Sequence, residues 1–120
     1  MSARIDAFDR FDENGAYMGW WKLDASGTPV PCKSMNDLHT EGVDARRVAR
    51  EKVVPGVDVS TVFLGLDHGY GDGPPILYET MVFGGTLDGE QDRYATREQA
   101  LAGHEAMKQR VLADIRQVTP

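Results

Sequence analysis

A chain of 120 residues, 41% hydrophobic and 27% charged, has the length and composition of one ordinary folded domain, which argues against fibrous and disordered classes. The formal charge of −6, from 19 acidic against 13 basic residues, disfavours phosphate contacts and therefore nucleic acid as a partner. The single Cys32 can neither close an internal disulfide nor build a cysteine zinc site, which fits a reducing compartment.

Residues 1 to 16 are polar, with Phe8 and Phe11 at helix-like spacing until Asn14-Gly15 interrupts, so a loosely ordered start to a single 1–120 domain is expected. Its scattered charges leave no apolar core of signal-peptide length, and no segment has the length that spans a bilayer. The expectation is a cytoplasmic protein without a membrane partner. Tyr17 to Leu23 reads as a strand with Tyr17, Gly19, Trp21 and Leu23 on one face, followed by turn chemistry at Asp24 to Gly27. Thr28 to Val30 returns as its partner. Because Pro29 and Pro31 lack an amide hydrogen, that partner should lie at an edge or be irregular.

Ser34 with Asp37 three residues on, and Gly42 beyond, predict a short capped helix. Arg46 to Val54 and Val57 to Leu66 then read as a hairpin over a type II turn at Pro55-Gly56, the first arm solvated or at an edge because of its charges. In the second arm Val62, Leu64 and Leu66 form the clearly apolar face. Ile76 to Phe83 alternates until Gly84-Gly85 and should pair with 59–66 over a wide loop, in a register that puts Glu79 opposite Phe63. Asp88 to Tyr94 reads as polar loop. Thr96-Arg97-Glu98-Gln99 is a capping box opening a helix to about Ile115, whose stripe of Ala100, His104, Met107, Val111 and Ile115 should face the sheet. The fold class is α+β: an antiparallel sheet of hairpins with a C-terminal amphipathic helix on one face.

Five residues stand out. His104 occupies the apolar stripe where Leu or Ala would be ordinary, and Gly103 beside it permits close approach to a neighbouring backbone. His104 reads either as a hydrogen-bonded staple between helix and sheet or as a general base or ligand contact. Glu79 shares a face with Leu77, Met81 and Phe83, so it needs a cationic partner such as Arg93 or Arg50, or else a site role. Asp67 and His68 end a strand, where side chains are held rigidly yet reach solvent, and Tyr70 sits in the glycine-rich stretch GYGDGPP behind them. That stretch is no phosphate loop: it lacks the Lys-Ser/Thr pair entering a helix, and Asp72 repels anions. Asp67, His68, Glu79 and His104 could supply oxygen and nitrogen ligands, but no spacing among them is diagnostic of a metal, so no metal and no cofactor is expected.

STVFLGLDH, GPPILYETMVFGG and RYATREQALAGHE, in that order, resemble a group of short proteins encoded by bacteriophages and prophages. The resemblance spans roughly residues 46 to 112. This chain departs from the pattern at Asp72, between Gly71 and Gly73, and residues 1 to 45 match less closely. What the resemblance implies is a phage or prophage setting and a stand-alone accessory protein, with no activity attached to it. The leading expectation is a non-catalytic binding module, an inhibitor of a host or defence factor or a ligand sponge, engaging a host or phage protein or a small molecule through Tyr70, the 67–75 loop and an exposed strand edge. Self-association is compatible with it. A hydrolytic enzyme using His68, Glu79 and His104, with or without a divalent metal, is the alternative, and a virion or assembly protein is a third.

Overall fold

The computed structural model describes residues 19–32, 46–67 and 74–118. The expected loose start and the expected helix between Ser34 and Gly42 lie outside these residues. The described residues form antiparallel sheets and one C-terminal helix, an α+β fold. They divide into two compact units, one built from 19–32, Arg46, 64–67 and 74–77, the other from 47–63 and 78–118.

The first unit is organised by a hairpin of β1 (Trp20–Leu23) and β2 (Pro29–Cys32), paired antiparallel with Trp20 opposite Cys32 and Leu23 opposite Pro29. Asp24 makes the turn. Its carboxylate accepts the amides of Ser26 and Thr28, each at 2.9 Å, and the Ser26 hydroxyl at 2.7 Å. These bonds, the Thr28 amide foremost, hold the Asp24 carboxyl below its usual range. On the other side of β1 the Trp21 amide donates to the Gly65 carbonyl at 2.7 Å, and the Asp67 amide to the Gly19 carbonyl at 2.9 Å. Residues 65–67 thus extend this sheet, and the prolines of β2 stay at its edge, where a missing amide costs no ladder bond.

The second unit is a four-stranded sheet in the order β3 (Arg47–Val54), β4 (Val57–Phe63), β5 (Tyr78–Phe83), β6 (Gln91–Tyr94), with helix α1 (Arg97–Val118) on one face. Gly56 has φ +85°, as the third position of a type II turn requires. β6 corrects the sequence reading, in which 88–94 is loop. A four-residue polar segment carries little strand pattern of its own, and it forms because β5 offers an unpaired edge that brings Arg93 opposite Glu79 and Tyr94 opposite Tyr78.

A second correction concerns register. Glu79 pairs with Val62, and Phe63 pairs with Tyr78, one residue away from the symmetrical closure. Such a slip exchanges the two faces of a strand. The face toward α1 therefore carries Val57, Val59, Thr61 and Phe63 from β4, with Tyr78, Thr80 and Val82 from β5. Val62 lies on the other face. β4 and β5 are joined through residues 64–77, too long a connection in sequence to pin the register as a tight hairpin turn would; the match between the two helix-side rows does so.

α1 begins as a capping box: the Gln99 amide donates to Thr96 Oγ1 at 3.1 Å, and Gln99 Oε1 accepts the Thr96 amide at 3.3 Å. The expected stripe is the buried one, with Ala100, His104, Met107 and Val111 all inaccessible or nearly so. Met107 and Val111 close a core with Val57, Val59 and Val82, flanked by Val53, Val54, Leu87 and Ile115. Each such side chain contributes about 1.5–3 kcal/mol through burial. Phe63 and Tyr78 meet edge to face, centroids 5.6 Å apart.

Candidate functional site

The helix-side face carries a buried polar chain that starts from two threonines at positions where alternation calls for apolar residues. Thr61 and Thr80 are opposite one another, neither has any exposed surface, and their hydroxyl oxygens are 2.5 Å apart. His104 descends on them from α1. Its Nδ1 is 2.8 Å from Thr61 Oγ1 and its Nε2 is 3.0 Å from Glu51 Oε1 on β3, while the other Glu51 oxygen is 3.1 Å from Lys108 Nζ. Lys108 foremost, and then His104, hold the Glu51 carboxyl below its ordinary value; Glu51 in turn raises Lys108.

An ionised carboxylate only accepts, so Nε2–H donates to Glu51; Nδ1 then meets the Thr61 hydroxyl, and that hydroxyl meets Thr80. Every polar side-chain atom along the chain has a partner. Hydroxyl, imidazole and carboxylate in that order are also the parts of a nucleophilic triad. Thr61 is fully buried with Thr80 against its oxygen, so no substrate reaches it, and the chain acts as a staple between β3, β4, β5 and α1.

Tyr94 completes this end of the interface. A Cβ on Gly103 would fall on the Tyr94 ring, so the glycine admits a side chain rather than the backbone that the sequence suggested. Burial pushes the Tyr94 and Tyr78 phenols up, at Tyr94 against a smaller lowering from the Thr80 hydroxyl, and the Tyr78 hydroxyl is buried without a hydrogen-bond partner among the described residues.

Glu79 lies elsewhere. Adjacent strand residues point to opposite faces, so Glu79 stands on the side of the sheet away from Thr80 and His104. There Arg93 Nε donates to Glu79 Oε2 at 2.9 Å, the cross-strand ion pair that β6 makes available. The convergence of Glu79 and His104 under one sheet face, on which the hydrolytic reading rests, does not form. Asp67 belongs to the first unit, 7% exposed; its Oδ1 accepts the Ile76 amide at 2.9 Å and so ties together the two ends of the 67–76 connection. The Leu64 amide, donating to the Leu77 carbonyl at 2.6 Å, adds a second tie. His68 and Tyr70 lie outside the described residues. Among the described residues no group of three or more His, Cys, Asp or Glu side chains is placed to hold a metal ion, and no helix is long and apolar enough to cross a membrane.

The chain matches no protein-family model, no curated protein and no solved structure. Its chemistry is therefore read from its own residues. Of the site candidates, His104 sits in a closed network whose other members, Glu51, Lys108, Thr61 and Thr80, the sequence reading did not single out. The available signal was Val59-x-Thr61-x-Phe63 and Tyr78-x-Thr80-x-Val82, one threonine inside each apolar alternation.

Both edges of the four-stranded sheet are guarded. β3 carries Arg47, Arg50, Glu51 and Lys52, and its pairing with β4 shifts register between Arg47 and Ala49 and again between Lys52 and Val54. β6 has four residues, two of them charged. Short, bulged and charged edges resist pairing with a further strand.

Proposed function

We propose that this chain is a non-catalytic binding module, a small accessory protein of the phage or prophage kind that works in the bacterial cytoplasm as an inhibitor of a host or defence factor or as a ligand sponge. The supporting observation is the disposition of the two ionisable anomalies. Glu79 closes on Arg93 on one sheet face, and His104 closes on Thr61 and Glu51 on the other, so each serves the fold. A fully satisfied hydrogen-bonded network rigidifies the elements it joins. Within the first unit, Asp67 accepts the Ile76 amide and so fixes the two ends of the stretch that bears His68 and Tyr70, the kind of anchoring on which binding residues are commonly carried.

Native mass spectrometry of the full chain purified from a bacterial host is the test. A stoichiometric adduct, protein or small molecule, is the expected result, and bare chain alone would count against binding. Turnover of ester or phosphoester substrates that is lost in both Glu79→Gln and His104→Gln would overturn the non-catalytic assignment.

A further inference from the structure

At the far end of α1 from His104, the second unit forms a half-open pocket of about 200 Å³ lined by Val57, Leu87, Val111 and Ile115, by Gly84 to Thr86, and by Asp114. The wall is built by glycine. Gly84 and Gly85 both have positive φ, and side chains there would strike the Gly56 carbonyl and the Val57 methyls, so only glycines let this loop lie across the β3–β4 turn. Val111, Asp114 and Ile115 reach the pocket from one helix face, at i, i+3 and i+4 spacing.

Asp114 is the anomaly. It lies four residues before the end of α1, where the carbonyl ends of the helix disfavour a negative side chain and where Asp has poor helix propensity. The Thr86 hydroxyl donates to Asp114 Oδ2; Oδ1 meets no donor among the described residues. Arg110, one turn before it, pairs instead with Glu90 and Asp92. A carboxylate and a helix C-terminus together attract a cation, while the remaining side chains of the pocket are mainly aliphatic.

We propose that this pocket binds a small free primary amine with a compact apolar body, an arylalkyl or branched alkyl ammonium, its charged head at Asp114 and its body against Val57, Val111 and Ile115. Size agrees: an apolar cavity of about 150 Å³ holds benzene, and the ammonium arm needs little more. This ligand class deepens the binding-module assignment and rests on it, but its test is separate.

The experiment is a methyl NMR titration of the full chain with benzylamine, with benzyl alcohol as the neutral isostere. Saturable shifts at millimolar concentrations, centred on Val57, Leu87, Val111 and Ile115, are expected, with benzyl alcohol bound about tenfold more weakly. Asp114→Asn should erase that preference, whereas Thr86→Val, which keeps the carboxylate, should preserve it. Absence of saturable shifts, shifts centred elsewhere, equal binding of the alcohol, or undiminished preference in Asp114→Asn would each overturn the amine assignment. Such a failure leaves a stoichiometric adduct in native mass spectra untouched, so the two proposals fail separately.

Discussion

Along α1 the contact with the sheet changes character. Toward the helix N-terminus, Gly103 and His104 meet Tyr94, Thr61 and Thr80 in a mixed aromatic and hydrogen-bonded interface; toward the C-terminus, Met107 and Val111 meet Val57, Val59 and Val82 in an apolar one. The apolar half supplies bulk burial, which is indifferent to small shifts of the helix. Hydrogen bonds are directional, and His104 can reach Thr61 and Glu51 together at only one height along the sheet. One half stabilises the packing, and the other selects its register.

The largest blow to that contrast falls on the apolar half. Met107→Ala should cost about 2–5 kcal/mol through lost burial and the cavity left behind, measured as a lower midpoint in urea denaturation. Next comes the polar half, where the pattern across variants matters more than any one value. Thr61→Val orphans His104 Nδ1 and should cost about 1–3 kcal/mol, whereas Thr61→Val, Thr80→Val and His104→Leu combined should cost clearly less than the sum of the three single changes. Simple additivity would mean that the chain is not one coupled unit, and the division of labour along α1 would fail.

The smallest effect is a pH dependence at the rim. Lys108 first, and His104 second, keep the Glu51 carboxyl below its ordinary value of 4.5. In that range the folded form binds fewer protons than the unfolded one, so the stabilisation is present above the ordinary value and lost as pH falls through the lower folded one. Urea midpoints followed from about pH 6 to about pH 3 should therefore fall less steeply in Glu51→Gln than in the parent chain. Equal slopes would remove Glu51 from the network.

Much of this is legible in the amino-acid sequence. The stripe from Ala100 to Ile115 repeats at the helical period, Thr96 and Gln99 carry their capping chemistry in their identities, and Pro55-Gly56 dictates its own turn. His104 was visible as a polar break in that stripe. Its partners were hidden, because Thr61, Thr80 and Glu51 are ordinary strand residues until pairing places them on one face or at the rim beside it.

Local pattern therefore settles which segments become helix and hairpin and where they stop, since those preferences act within a few residues along the backbone. Pairing between distant segments settles the rest. The register of β4 against β5 decides which face Glu79 takes, the free edge of β5 turns a polar stretch into β6, and the crossing of α1 over the sheet joins His104 to residues 43 and 53 positions away. None of these follows from spacing alone, because a slip of one residue leaves every local preference satisfied and exchanges every face.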